Sequence, residues 1–68
     1  MVGTLIRTTR ESAGFYPNGA LARLVFRDED GDWWADFNEW ADFPLFDNAD
    51  TRPGVWCVGN GWEVVAEG

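Results

Sequence analysis

Histidine and lysine are absent from this 68-residue chain, and serine and cysteine occur once each, as Ser12 and Cys57. Without histidine, no Ser/His or Cys/His pair can generate a nucleophile, and without lysine no side-chain amine can form a Schiff base. Paired carboxylates could in principle cleave a glycoside, but so short a chain has little room for a cleft around a sugar. We therefore expect a protein that is not an enzyme and uses no cofactor.

The single cysteine and the lack of long apolar runs indicate where in the cell the protein acts. Cys57 has no partner for an internal disulfide, which fits a reducing environment better than an oxidising one. No stretch approaches 18 consecutive apolar residues, and residues 1–10 lack the apolar run of a signal peptide. These features predict a cytoplasmic protein that does not contact a membrane.

The chain is rich in apolar and aromatic side chains. Hydrophobic residues make up 46% and aromatic residues 16% of the sequence, which argues against disorder because such a chain offers ample area for burial. A length of 68 residues allows one core only. We expect residues 1–68 to form a single small domain.

The pattern of apolar residues predicts short strands in the first half of the chain. Residues 4–10 alternate around a β-branched stretch, and residues 11–19 are rich in turn formers and predict a loop. Residues 20–27 alternate again and predict a second strand. Its expected core face carries Ala20, Ala22, Leu24 and Phe26.

Two hairpins are predicted from glycine-containing turns. The Asp30-Gly31 pair lies between two β-like runs, and the returning run would place Trp33, Ala35 and Phe37 on one face. Residues 55–58 and 62–66, joined by Gly59-Asn60-Gly61, predict the second hairpin.

The fold class that these elements predict is mostly β. Four to five strands in meander order favour a small antiparallel sheet or an SH3-like partial barrel. Residues 36–42 fit either a continuing strand or one short helical turn that would stack Phe37, Trp40 and Ala41.

Negative charge is concentrated in the middle of the chain. Residues 28–50 carry nine acidic and no basic side chains, whereas residues 1–27 sum to +3 and residues 51–68 to −1. Like charges so close together are screened incompletely, because the Debye length is about 8 to 10 Å at physiological salt. The acids either keep the chain soluble or form a recognition face for a basic partner.

The candidate contact residues are the acids in the predicted turn and those that follow it. If the turn residues were extended, the carboxylates of Asp28, Asp30 and Asp32 would lie about 6.7 Å apart, facing an arginine- and lysine-lined groove that otherwise binds phosphates. The predicted acidic contacts are Asp28, Glu29, Asp30, Asp32, Asp36, Glu39 and Asp42.

Two adjacent tryptophans offer an apolar anchor for such an interface. Trp33 and Trp34 would point to opposite faces of a strand, so only one of them can enter a one-sided core. We expect the other to be exposed and to contact a partner, because tryptophan is enriched at binding hot spots.

A calcium loop is the metal-binding alternative for the acidic segment. Counted from Asp28, acidic residues fall at positions 1, 3, 5, 9 and 12, the last being Glu39. Position 6, where such a loop needs glycine, is Trp33, and no helix precedes the segment. We therefore predict no metal site.

In size, acidity and interleaved tryptophans, the chain resembles the small phage DNA-mimic proteins that inhibit restriction enzymes and CRISPR effectors. The run from Asp28 to Asp32 and the acids from Asp36 to Asp50, interleaved with Trp33, Trp34 and Trp40, carry this resemblance. It implies a non-enzymatic inhibitor that occupies the basic DNA path of a host defence complex and does not itself bind nucleic acid. Four arginines near the N-terminus depart from this class and also allow a mixed-charge interface.

Two other classes compete with this interpretation. Trp33-Trp34-Ala35 and Pro53-Gly54-Val55-Trp56 are similar to pieces of small chitin- or cellulose-binding modules, which stack sugars on exposed aromatic rings. A structural adaptor of a phage particle is the third class. Binding that weakens steeply with salt would favour the mimic, and retention on an insoluble polysaccharide would favour the module.

Overall fold

The computed structural model describes residues 2–12, 15–43 and 52–67. Within these ranges the chain forms five strands: β1 (Leu5–Thr8), β2 (Leu21–Arg27), β3 (Trp33–Asp36), β4 (Val55–Gly59) and β5 (Trp62–Ala66). The same ranges contain no helix, and so none long and apolar enough to span a membrane. The predicted mostly β fold class is confirmed.

All five strands belong to one antiparallel sheet with the order β4-β3-β2-β1-β5. In a flat sheet β4 and β5 would lie about 19 Å apart, because neighbouring strands are about 4.8 Å apart. Yet β4 ends at Gly59 and β5 begins at Trp62, and three residues span at most about 10 Å. The sheet therefore curves into a partial barrel that is open between β4 and β5.

The second predicted hairpin is wrong, although its two strands exist. β4 pairs with β3 and β5 pairs with β1, so the two strands form opposite edges of the sheet. The connection is a tight turn in which the Gly61 N–H donates to the Val58 carbonyl and the Trp62 indole donates to the Gly59 carbonyl. Glycines between two β-like runs indicate a reversal of the chain, but they do not determine which strand each run joins.

The first predicted hairpin is confirmed at β2 and β3. The Asp28 N–H donates to the Asp32 carbonyl, and the Gly31 N–H donates to the Asp28 carbonyl. Gly31 has a φ of 86°, in the left-handed region that glycine adopts without strain. The turn therefore has the pattern of a type I turn followed by a left-handed glycine.

The core lies on the concave face of the sheet and is completed by the β1–β2 connection. Tyr16 from that connection stacks on Phe37 with ring centroids 4.9 Å apart, and its hydroxyl donates to the Cys57 carbonyl. Trp33, Trp56 and Trp62 pack against this core and are half-buried. The buried cluster comprises Ile6, Tyr16, Ala20, Ala22, Leu24, Ala35, Phe37 and Val58.

Phe26 is not in the core, contrary to the sequence prediction. The pairing of β2 with β3 shifts register between Leu24 and Phe26, so Leu24 faces Ala35 whereas Phe26 faces Trp34. Such a bulge inserts one unpaired residue and reverses the alternation of faces beyond it. Ala20, Ala22 and Leu24 are buried as predicted, and Phe26 is 38% exposed.

Residues 36–42 form neither a helical turn nor a long strand. β3 ends at Asp36, and a turn follows at residues 38–40. The Asp36 carboxylate accepts hydrogen bonds from the Asn38 backbone N–H and from its side-chain amide. Short polar side chains that bond the backbone two residues later favour turns over regular structure.

Candidate functional site

The turn between β2 and β3, residues 28–32 and here called the acidic turn, is organised by Asp28. One oxygen of its carboxylate accepts the backbone N–H groups of Asp30 and Asp32 at 2.9 and 3.0 Å, and the other accepts the Trp34 indole N–H at 2.7 Å. The bond from the Trp34 indole, followed by that from the Asp32 N–H, holds the pKa of Asp28 below its usual value. Asp28 therefore stays charged and fixes the shape of the turn.

The remaining carboxylates of the acidic turn face solvent. Glu29 and Asp30 are exposed and Asp32 is half-buried. None of the three has an ion-pair partner among the residues that the structure describes. Arg27 reaches over the turn but donates to the Gly31 carbonyl at 3.1 Å, so it leaves these carboxylates unpaired.

The predicted spacing of the acids along an extended strand is wrong. Residues 28–32 reverse the chain direction, so Asp28, Asp30 and Asp32 do not lie at the spacing of alternate strand residues. Instead, Asp28 and Asp32 lie close enough that single carboxylate oxygens of each and the Cys57 sulfur fall within 4.8 Å of one another. The turn presents a compact cluster of negative charge rather than a row.

Trp33 and Trp34 point to opposite faces of β3, as adjacent strand residues do. Trp33 packs against the core. Trp34 lies on the other face and stacks on Phe26, with ring centroids 5.5 Å apart and planes 12° from parallel. Both tryptophans are half-buried, so the expectation that one of them is exposed is wrong.

Phe26 and Trp34, here called the aromatic pair, are the apolar part of this surface. The sequence pattern did not reveal the role of Phe26, because the bulge that turns it outward depends on the partner strand. The Asp28 carboxylate bonds the indole of Trp34, so the aromatic pair and the acidic turn form one continuous surface. Such an arrangement can bind a partner through both charge and apolar contact.

The other predicted acidic residues lie at or beyond the opposite end of β3, where Asp36 is the last residue of the strand. Asp36 forms a salt bridge with Arg52 at 3.4 Å, and it also pairs in register with Arg23 on β2. Glu39 and Asp42 are exposed. Three residue steps of a strand, about 10 Å, separate Asp36 from Trp33 at the start of β3. Asp47 and Asp50, which complete the acidic segment in the sequence, lie outside the described residues.

A groove of about 290 Å³ lies at this second group of acids. The Arg23 guanidinium carbon lies 4.9 Å from the centroid of the Trp40 ring, a cation–π contact. Because Arg23 and Arg52 accompany Asp36 here, this end of β3 is mixed in charge and Asp36 is ion-paired, whereas Glu29, Asp30 and Asp32 form no ion pair among the described residues. The groove is lined by Arg23, Val25, Asp36, Asn38, Glu39 and Trp40.

The structure does not assemble the calcium-loop pattern seen in the sequence. Asp28 and Asp32 lie at the turn, whereas Asp36, the last residue of β3, is bound to Asn38 and Arg52 at the other end of the strand. The nearest alternative ligand set is Asp28, Asp32 and the Cys57 thiol. Burial, and then the charges of Asp32 and Asp28, raise the pKa of Cys57, so the thiol is protonated at neutral pH.

Comparisons of the chain with protein-family models, curated proteins and solved structures found no match. A function is therefore proposed from the geometry and charge of this surface alone. The surface comprises the acidic turn, with three carboxylates unpaired among the described residues, and the aromatic pair beside it.

Proposed function

We propose that this chain is a non-enzymatic inhibitor or interaction protein that inserts an acidic, tryptophan-bearing surface into the basic nucleic-acid-binding groove of a host defence complex. The acidic turn supplies the negative charge, and the aromatic pair supplies apolar contact. The observation that carries the proposal is that Glu29, Asp30 and Asp32 have no cationic partner among the described residues. If the protein is encoded by a phage, its site of action is the host cytoplasm.

The fixed shape of the acidic turn supports a role in binding. Asp28 makes three hydrogen bonds that hold the turn and Trp34 in place in the unbound chain. A preorganised surface loses less conformational entropy on association than a flexible one. Solvent-facing carboxylates on such a turn can accept charge-assisted hydrogen bonds from arginine and lysine side chains that otherwise bind phosphates.

Several carboxylates must act together for this function. A single exposed ion pair contributes only about 0.2 to 1 kcal/mol. Three unpaired carboxylates within one five-residue turn can each contribute, and the half-exposed aromatic pair adds apolar contact. Glu39 and Asp42 are the secondary contacts in this proposal, since both are exposed near the far end of β3.

The test is capture of a partner from a bacterial lysate with the tagged chain, in the presence and absence of competing duplex DNA. We expect a nucleic-acid-binding protein or complex to be captured and to be lost when DNA is added, because both ligands need the same basic groove. The triple variant Glu29→Gln, Asp30→Asn, Asp32→Asn should capture much less, since it removes the unpaired charge and leaves Asp28 in place.

The matched control is the triple variant Thr9→Lys, Glu11→Gln, Asn18→Lys. It changes the net charge by the same amount, and all three of its residues are exposed and outside the acidic turn. Equal loss of capture in both triple variants would mean that only total charge matters. That result, or capture that is indifferent to DNA, would contradict the proposal.

Carbohydrate binding remains a second candidate because of the aromatic pair. Its two rings lie nearly parallel on the outward face of the sheet, and Phe26 is 38% exposed. Exposed rings of this kind can stack against a sugar. Retention on insoluble chitin or cellulose that is lost in Phe26→Ala, and is unaffected by the acidic-turn triple variant, would favour this candidate over the first.

A further inference from the structure

The edge strand β5 is unusually exposed for a strand with two valines. Glu63, Val64, Val65 and Ala66 are all exposed, and the valines are 44% and 43% accessible. Over the described residues, β5 pairs with β1 and with no other strand. Its outer edge therefore presents backbone N–H and C=O groups that lack strand partners, which is the template for adding another strand.

We propose that the free edge of β5 accepts an extended, lysine- or arginine-bearing segment of a partner protein as a sixth strand. Main-chain hydrogen bonds to an exposed sheet edge give affinity in this binding mode, and side chains of the added strand give specificity. The proposal concerns the outer edge of β5, a strand that contributes no residue to the acidic turn or the aromatic pair. It goes beyond the function proposed for the acidic turn.

The position of Val64 favours an added strand on this edge. Val64 pairs in register with Ile6, whose side chain is fully buried in the core. Val64 therefore points to the core side of the sheet, yet it remains 44% exposed, since β5 is an edge strand that pairs only with β1 over the described residues. A strand placed next to β5 would cover this valine and extend the row of core side chains by one strand.

Charge determines the chemistry of the added strand. Glu63 lies in β5 and pairs in register with Arg7 of β1, and Glu67 follows the last residue of the strand. Neither glutamate forms an ion pair among the described residues. The whole chain carries a net charge of −7. A segment with basic side chains opposite these glutamates is therefore complementary both locally and to the long-range field.

A second copy of the chain is a poor occupant of the same edge. Antiparallel self-pairing of β5 would bring Glu63 and Glu67 of one copy close to those of the other, and neighbouring like charges destabilise a sheet. Two chains of charge −7 also repel each other. The repulsion between like charges therefore favours a basic partner segment over a homodimer.

The test uses the isotopically labelled full chain and a synthetic nine-residue peptide in which lysine alternates with valine, followed by amide chemical shifts in NMR. We expect saturable shift changes centred on residues 62–67 below about 1 mM peptide. The double variant Glu63→Gln, Glu67→Gln should bind the peptide about threefold or more weakly, because it removes both edge charges.

Two controls identify the surface. Glu29→Gln, Asp30→Asn removes the same charge from the acidic turn and should leave the peptide affinity within about twofold. A peptide with glutamine in place of lysine should bind more weakly than the lysine peptide. Shifts that map to residues 28–32, no saturable shift, an unchanged affinity of the Glu63→Gln, Glu67→Gln variant, or self-association through β5 would each overturn the inference. Because these readouts involve β5, they do not depend on the outcome for the acidic turn.

Discussion

Asp28 is the residue on which the acidic turn depends, and its role is structural as well as electrostatic. Its two carboxylate oxygens accept three hydrogen bonds, from two backbone N–H groups and one indole N–H. A neutral side chain at this position would weaken the hydrogen bond to the Trp34 indole and those to the backbone of the turn. The same residue therefore links the charge of the turn to the placement of the aromatic pair.

The lowered pKa of Asp28 predicts an acid-dependent loss of stability. Its folded-state pKa lies below the ordinary value of 3.8, so its contribution is present above that value and is lost as pH falls through the folded-state pKa. We expect Asp28→Asn to be less stable than the wild type at pH 7 and to lose less stability on acidification. Urea unfolding at pH 7 and at about pH 2.5 measures both.

Asp30→Asn is the matched control for this prediction. The Asp30 carboxylate makes no hydrogen bond among the described residues, whereas its backbone N–H donates to Asp28. We expect the control to keep the acid response of the wild type. An acid response that disappears equally in both variants would show that net charge, and not the bonds to Asp28, sets it.

Some side-chain positions could be predicted from the sequence and others could not. The opposite orientations of Trp33 and Trp34 follow from their adjacency in a strand. The outward position of Phe26 does not, because the bulge after Leu24 arises from the way β2 pairs with β3. Local alternation predicts which face of the sheet a side chain occupies only up to the first register shift in the strand.

At the scale of elements, the two glycine-containing turns show how far local signals reach. The signal around Gly31 correctly predicted that β2 and β3 pair, because the short turn leaves the strands adjacent. The signal around Gly59 and Gly61 was misleading, because β4 pairs with β3 and β5 pairs with β1. Pairing between distant segments depends on the packing of the whole sheet, which a local pattern does not encode.

Two glycines with positive φ give an element-scale prediction. Gly31→Ala, in the acidic turn, should destabilise the chain by about 1 kcal/mol, since a Cβ there meets only the flexible end of Arg27 at 3.5 Å and the cost is mainly backbone strain. Gly54→Ala should cost more, about 2 to 3 kcal/mol, because the added Cβ would lie 2.6 Å from the Asn38 amide nitrogen.

The reason for the larger effect at Gly54 is the network around Asn38. That side chain donates both to Asp36 and to the Pro53 carbonyl, so moving it breaks two hydrogen bonds. Thermal or urea unfolding of the two variants compares the costs. Equal destabilisation would mean that Asn38 shifts freely and that its bonds do not hold the start of β4.

At the scale of the whole molecule, the sequence correctly indicated a mostly β fold, and it showed that the charge is segregated along the chain but not how that charge is arranged in space. Of the predicted contact residues, Asp28, Glu29, Asp30 and Asp32 come together in the acidic turn. Asp36 lies at the other end of β3, where it pairs with Arg52. Spacing along a chain could not distinguish these groups, because the distance between them depends on where β3 begins and ends.

The salt dependence of binding to the captured partner tests the central claim most directly. Dissociation constants would be measured from about 0.05 to 0.5 M salt, where the Debye length falls from about 14 to 4 Å. For the wild type we predict a steep loss of affinity with salt, and for Glu29→Gln, Asp30→Asn, Asp32→Asn a weaker affinity with a shallower slope. Identical slopes for the two proteins, or an affinity that does not change with salt, would contradict a role for the acidic turn in occupying a basic groove.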